Sequence, residues 1–239
     1  MDSRDRGAAP PALAWLAMPG RALELARLHA NGELAALLPE VEALYGVPQN
    51  EVHHPEVCTG VHTEMALAMA ERLCASPAAS FAVLVHDLGK ALTPAEELPR
   101  HVDHEIRGLK PVATVCDRLK VPAYWRQLAL LVCEMHLHVH RGLEHRSKTA
   151  LKLLHATGLE ADETLFNDFL TACEADKRGR LNMTERPYRV KPFWLAARAA
   201  LRDLPAAGSA PIQDRATSDR HAQRIQAVRQ ATAPFRHPN

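Results

Sequence analysis

The chain has 239 residues, with 29 Lys and Arg against 28 Asp and Glu for a formal charge of +1, and 47% of its residues are hydrophobic. That length and apolar content supply a core of ordinary proportions, for one large domain or two small ones. The balanced charge creates no global field toward nucleic acid or membrane, so a partner of that kind would have to be met by a local patch. No stretch approaches the ~20 apolar residues that span a bilayer, and the charged start Met1-Asp-Ser-Arg-Asp-Arg-Gly7 has no apolar signal core. A cytoplasmic protein without a membrane partner is expected.

Residues 1–20 are rich in Ala, Pro and Arg and carry little periodicity, which reads as a leader with one turn around Leu13-Ala-Trp15-Leu16. Helical spacing then begins. Leu34, Leu37, Leu38, Val41, Leu44 and Tyr45 recur at three- and four-residue intervals and end at Gly46-Val-Pro48. A loop from Gln49 to Gly60 contains His53-His54-Pro55-Glu56 and leads into a helix whose expected apolar face is Val61, Met65, Ala68, Met69 and Leu73. Pro77 opens the next helix, which holds Phe81 to Leu88 and stops at Gly89. A polar loop follows through Pro94, Pro99, His101, Asp103 and His104.

Further helices are marked by Val112, Val115, Cys116 and Leu119; by Leu128, Leu131, Val132, Met135 and Val139; by Leu165, Phe169, Ala172 and Cys173; and by Val190, Trp194, Ala197, Leu201 and Leu204. From Pro205 the chain turns Ala-, Ser- and Gln-rich, with Arg215, Arg220, Arg224, Arg229 and Arg236 against Asp214 and Asp219. The expected organisation is a leader (1–20), a helical domain (21–204) and a basic tail (205–239) with one exposed helix around Ile225. No period-two alternation bounded by turn residues is found, so the class is all-α.

Five cysteines, at 58, 74, 116, 133 and 173, are odd in number and lack paired spacing, which reads as structural thiols. The 14 histidines are the compositional outlier and concentrate between 53 and 155. Among them, His86-Asp87 ends the apolar run Phe81-Ala-Val-Leu-Val85. Burying two adjacent ionisable groups costs several kcal/mol unless each is hydrogen-bonded, paired or bound to a metal. A salt bridge, a hydrogen-bonded pair and a shared metal all remain open on that ground alone.

Three further positions sharpen the choice. His62 stands in the first turn of its helix, beside the apolar face. His86 and Asp87, ~100° apart on a helix, can both reach an ion in the groove between them. Asp176 continues the stripe Leu165, Phe169, Ala172, Cys173 at the spacing of a core residue, where a carboxylate needs a partner: a metal, or a core arginine. His62, His86, Asp87 and Asp176 form a mixed imidazole and carboxylate set that suits Ni, Co, Mn, Fe or Mg, and no Cys-x-x-Cys supports structural zinc. His136 shares a helix face with His140, and with His104 it is a candidate for a second metal, Asp87 bridging ions ~3.5 to 4 Å apart. His140 and His101 read equally well as surface histidines.

The order His62, His86-Asp87, Asp176 resembles the HD superfamily of metal-dependent phosphohydrolases, an all-α helical bundle, here with additional N- and C-terminal helices. The strings Leu38-Pro-Glu-Val41 with Gly46-Val-Pro48, His54-Pro-Glu56, Gly60-Val-His-Thr63, His86-Asp-Leu-Gly-Lys90, Leu92-Thr-Pro94, Arg100-His101 with His104, and Glu174-Ala-Asp176 with Arg178-Gly-Arg180 are similar to the C-terminal HD domain of bacterial CCA-adding tRNA nucleotidyltransferases. The resemblance runs from about Leu25 to Leu204, and more weakly over 218–230. The nucleotidyltransferase head of that family carries a Gly-Ser turn followed by Asp-x-Asp on a β-sheet. This sequence has no Asp-x-Asp, its one Gly-Ser is Gly208-Ser209, and strands are not expected, so it is not expected to add CCA by itself.

The resemblance implies metal-dependent hydrolysis of phosphoesters, with 2′,3′-cyclic nucleotides, 2′-nucleotides and small phosphomonoesters as substrates. By position, His62, His86, Asp87 and Asp176 would be the primary ligands, with His104 and His136 as extra ones. A bound metal would lower the pKa of its water and act as a Lewis acid. Lys90 and Arg178 are placed to approach the substrate phosphate; alternatively Lys90 neutralises helix carbonyls and Arg178 pairs with Glu174. A stand-alone phosphohydrolase is thus the leading expectation, with Asp87, Lys90 and Arg178 in the reaction. The rival is a tRNA-binding or scaffolding module, a split or remnant partner of a CCA-adding enzyme, using the basic tail.

Overall fold

Apolar positions at three- and four-residue intervals and the scarcity of β-branched residues yield an all-α architecture. The computed structural model of the protein describes residues 7–202, 204 and 215–236, the side chains of 215–217 excepted. Residues 1–6 of the expected leader and 205–214 and 237–239 of the expected tail lie outside the described residues. The helices are α1 (Arg21–Ala30), α2 (Glu33–Leu37), α3 (Pro39–Glu42), α4 (Thr59–Arg72), α5 (Pro77–Val85), α6 (His104–Arg118), α7 (Ala123–His140), α8 (Ser147–Ala156), α9 (Glu163–Arg178), α10 (Val190–Ala199) and α11 (Arg215–Arg236). No strand occurs among the described residues; Pro48 and Cys58 form an isolated antiparallel bridge.

The chain divides into two compact units, Met1–His136 with Asn167–Pro187, and Leu137–Phe166 with Tyr188–Asn239. In the first, α5 is the central rod. Pro77 sits at its first helical position, and the Ser76 hydroxyl accepts the Ala79 N–H at 3.1 Å, the capping that such a start favours. Every residue from Ala78 to Val85 is buried, as expected of a helix apolar on all sides. Burial of Phe81, Val83, Leu84 and Val85 contributes about 1.5–3 kcal/mol each. α4 and a 3₁₀ turn, Pro11–Ala17, pack on this rod, and α1 packs on α4. Leu13 and Leu16 of that turn are fully buried. The Glu71 carboxylate accepts the Gly20 N–H at 2.8 Å and holds the start of α1, where the helix dipole favours a negative charge.

α4 is rotated from its expected face. Val61 and Ala68 are exposed, whereas His62, Thr63, Ala66, Met69 and Ala70 are buried. A small surface is needed there: a Cβ on Gly179 would fall 2.4 Å from the Ala66 Cα, so the chain beyond α9 lies against the α4 backbone.

In the second unit, α11 packs on α8 and α10. In place of an exposed tail helix, it buries Arg224, Val228 and Thr232, four residues apart. Only one of the three is apolar, which is why the stripe leaves little hydrophobic signal. Arg224 is ion-paired with Glu160, and the Trp194 indole N–H donates to the Val139 carbonyl at 3.0 Å.

Candidate metal centre

α5 delivers His86-Asp87 to the interior of the first unit but stops at Val85, and a 3₁₀ turn, Leu88–Leu92, follows Asp87. The expected continuous helix to Leu88, and with it the ~100° helical separation of the two side chains, is therefore corrected. Gly89 supplies the physical reason. A Cβ there would lie 1.9 Å from the His104 carbonyl oxygen and 2.6 Å from the Gly108 nitrogen. A Cβ on Gly108 would in turn meet the Cys133 Sγ at 2.6 Å. This seam of small residues brings the turn, the start of α6 and α7 into contact, and with them His104 and His136. His104 is the first residue of α6, not part of the preceding loop.

Around Asp87 the structure brings together His62, His86, Asp176, His104 and His136, each at most 5% exposed. The two carboxylate oxygens face different imidazoles. Oδ2 lies 3.2 Å from His86 Nε2 and 3.8 Å from His62 Nε2; Oδ1 lies 3.3 Å from His104 Nε2 and 3.9 Å from His136 Nε2. Asp176 Oδ1 is 3.1 Å from His62 Nε2 and 3.7 Å from His86 Nε2.

Hydrogen bonds on the far side of three rings set their tautomers. Nδ1–H of His86 donates to the Val83 carbonyl at 2.8 Å, that of His104 to the His101 carbonyl at 2.8 Å, and that of His136 to the Val132 carbonyl at 3.0 Å. Each ring thus turns an Nε2 toward the carboxylates, and such far-side partners orient the imidazoles of metal sites. His86 Nε2 and Asp87 Oδ1 are buried without a hydrogen-bond partner. Burial alone would lower the basicity of His86, but Asp87 and Asp176 outweigh it and raise its pKa to about 10. Burial likewise disfavours ionised Asp87, and His86 and Lys90 reverse that, holding its pKa well below the usual range. His136 is driven the other way, well below the usual imidazole value, chiefly by burial.

The centre therefore demands a cation between nitrogen lone pairs and carboxylate oxygens. An imidazole and carboxylate set with orphaned ligand atoms is suited to a divalent metal. The donors fit such an ion.

The other expected residues are placed as follows. Lys90 is buried, with Nζ 2.7 Å from Asp87 Oδ2 and 2.6 Å from Gln49 Oε1. Arg178 pairs with Glu174 at 2.7 Å and donates to the Thr184 carbonyl at 2.7 Å. It is Arg180 that reaches Asp176, at 3.5 Å. His101 is half-buried, accepting from Thr93 at 2.8 Å and donating to the Pro48 carbonyl at 2.9 Å, and His140 bonds the Tyr188 hydroxyl at 2.9 Å. Sequence reasoning missed Gln49 and Glu56. Both lie in the irregular segment before α4, where periodicity carries no information; the signal at hand was the acid within His54-Pro55-Glu56.

Comparison with known proteins agrees with this geometry. Residues 59–175 match the HD domain family model. The chain is similar to the Multifunctional CCA protein of Xanthomonas campestris pv. campestris (strain B100), 50% identical over 191 residues, 77% of this chain and 46% of the relative. It is also similar to the Multifunctional CCA protein of Acinetobacter baumannii (strain ATCC 17978), 46% identical over 177 residues, 74% of this chain and 43% of the relative. The chain thus spans less than half the length of these curated relatives. No solved structure matches. No helix among the described residues is long and apolar enough to cross a membrane. The matched segment 59–175 holds five of the six converging side chains outright and ends one residue before Asp176, so the similarity to the HD domain covers the residues that build the centre.

Proposed function

We propose that the protein is a metal-dependent phosphohydrolase acting on nucleotide phosphoesters: 2′,3′-cyclic phosphodiesters, 2′-nucleotides or small phosphomonoesters. The observation that carries this reading is the orphaned pair His86 Nε2 and Asp87 Oδ1, buried where His62, Asp176, His104 and His136 converge. His62, His86, Asp87 and Asp176 would hold a divalent ion (Ni, Co, Mn, Fe or Mg), with His104 and His136 available to a second. When bound, such an ion supplies Lewis acidity at a phosphoryl oxygen and an acidified water for attack at neutral pH.

The chain's own residues do the rest. Lys90 neutralises part of the Asp87 charge and keeps that carboxylate in one orientation through its second bond, to Gln49. Val83, His101 and Val132 hold three imidazoles in one tautomer through main-chain carbonyls. Arg180, close to Asp176, brings positive charge to the side where phosphoryl oxygens gather charge. Arg178, engaged with Glu174 and Thr184, would act on a phosphate only after leaving those partners.

The test is turnover of a chromogenic phosphodiester and of 2′,3′-cyclic nucleotides by purified protein supplied with Ni, Co, Mn or Mg. Activity in at least one combination, lost in a folded Asp87→Ala variant, is expected; no turnover in any combination sinks the reading. A second reading is motivated by the CCA names of the relatives and by exposed Arg220 and Arg229 on α11: a tRNA-binding module. A tRNA mobility shift that weakens steeply with salt, and weakens on truncation of 205–239, would favour it.

A further inference from the structure

We infer that Glu56 is the positioning residue of the metal centre, fixing the His62 ring so that Nε2 is its ligand nitrogen and making that nitrogen a stronger donor. The inference rests on the metal-centre reading above. His62 is fully buried and its Nε2 faces Asp176 and Asp87, at 3.1 and 3.8 Å. Its Nδ1, on the far side, makes no hydrogen bond and has Glu56 Oε1 3.1 Å away. His86, His104 and His136 use main-chain carbonyls on their far sides. His104 Nδ1 also has Glu105 Oε2 at 3.4 Å beside its carbonyl bond, whereas the far nitrogen of His62 meets a carboxylate with no main-chain carbonyl beside it, and a carboxylate in that place orients a ligand imidazole and strengthens it as a donor.

Glu56 is itself held in place. Its side chain is 2% exposed. Oε1 also accepts from His54 Nδ1 at 2.9 Å, and Oε2 accepts the Leu181 N–H at 3.2 Å. Leu181 adjoins Arg180, which contacts Asp176, so one carboxylate ties the His62 ring to the chain segment beyond Asp176. His54 stands edge-on to His62 with ring centroids 4.7 Å apart and closes the remaining side. A carboxylate that merely anchored its loop would not need to meet the far nitrogen of a converging imidazole.

The experiment compares the full chain with its Glu56→Ala, Glu56→Gln and His54→Ala variants. Affinity for Ni(II) is measured by competition with a chromophoric chelator, and the visible absorption of the Co(II)-loaded proteins is recorded. Glu56→Ala is expected to weaken metal binding about 10–100-fold and to alter the Co(II) spectrum. Glu56→Gln, whose amide oxygen can still face Nδ1 but lacks the charge, should fall between Glu56→Ala and the parent. His54→Ala, which spares the Glu56–His62 contact, should weaken binding less than Glu56→Ala. Parent-like affinity and spectrum in Glu56→Gln and Glu56→Ala, with only a lower melting temperature, overturn the inference. If Glu56→Ala does not fold, Glu56→Gln alone decides it. A parent chain that binds no divalent ion overturns the metal-centre reading and this inference together, a result distinguishable from tight binding by parent and variants alike.

Discussion

The Nε2 atoms of His104 and His136 approach to 3.4 Å, while each ring turns its Nδ1 to a main-chain carbonyl. Both nitrogens also face Oδ1 of Asp87, and the opposite oxygen faces His86 and His62. Were two ions to bind, a carboxylate that addresses two sets of imidazoles with its two oxygens would be placed to reach both. The expected outcome is that the protein loads up to two equivalents of Mn or Co, and that His136→Ala loads one while remaining folded. Elemental analysis after equilibrium dialysis checks this; His136→Ala retaining the parent stoichiometry would rule out His136 as a ligand.

Lys90 is the cation that answers Asp87 in the metal-free protein, buried between Asp87 Oδ2 and Gln49 Oε1. Removing one partner of a buried pair leaves the other charge uncompensated and typically costs about 3–5 kcal/mol. Lys90→Met should therefore lose stability of that order in chelator and noticeably less in saturating divalent metal, because the ion then supplies the missing charge. Urea unfolding with and without metal gives the comparison. An equal loss in both conditions would mean that Lys90 does not share Asp87 with an ion.

Gly89 sets the path of the chain that aims Asp87 at His104. With a Cβ placed 1.9 Å from one backbone atom and 2.6 Å from another, Gly89→Ala cannot be relieved by a side-chain rotation. Overpacking typically costs about 1–3 kcal/mol, and a backbone clash of this closeness belongs at or above the upper end. Thermal unfolding should show a large fall in Tm, accompanied by weakened metal binding because His104 moves with the clash. A Tm within a degree or two of the parent would contradict the close packing of this turn on α6.

Asp176 was legible in the sequence because it continues an apolar helical stripe, where a lone carboxylate has no cheap alternative to a partner; His62 was set beside an apolar face that the structure moves, and it lies within the buried face of α4. His86-Asp87 was legible from the apolar run before it. The turn of the chain at the doublet was not, since it depends on how closely Gly89 approaches α6, a tertiary fact without a local signature. Asp103 carries a left-handed backbone (φ 55°) and no capping hydrogen bond, so nothing local announced that α6 starts at His104. Glu56 and Gln49 sit in irregular backbone, where spacing assigns no face. The buried face of α11 escaped notice because two of its three inward residues, Arg224 and Thr232, are polar and find partners within their own unit.

The acid side of the stability curve follows from the histidines. Burial, outweighing the bond that His54 donates to Glu56, pushes His54 down to about 3, and burial pushes His136 well below its ordinary value. For both, the unfolded chain takes up a proton below about pH 6.5 that the folded chain refuses, so stability is lost as pH falls through that value. His86 has the opposite sign. Its folded pKa is raised, so its contribution is complete below about pH 6.5 and is lost only as pH rises toward 10. Metal-free protein should therefore lose about 1.4 kcal/mol per pH unit for each of His54 and His136 between about pH 6 and 4.5, beyond whatever carboxylates with lowered pKa, Asp87 and Glu56 among them, add. Binding of a divalent ion would hold its imidazole ligands, His86 among them, deprotonated and so steepen the slope. Urea midpoints across this range, in chelator and in metal, measure both slopes, and His136→Asn in chelator should be shallower than the parent by one proton. A parent whose stability is flat from pH 6 to 4.5, or a His136→Asn variant with an unchanged slope, would show that His136 is not held neutral in the fold.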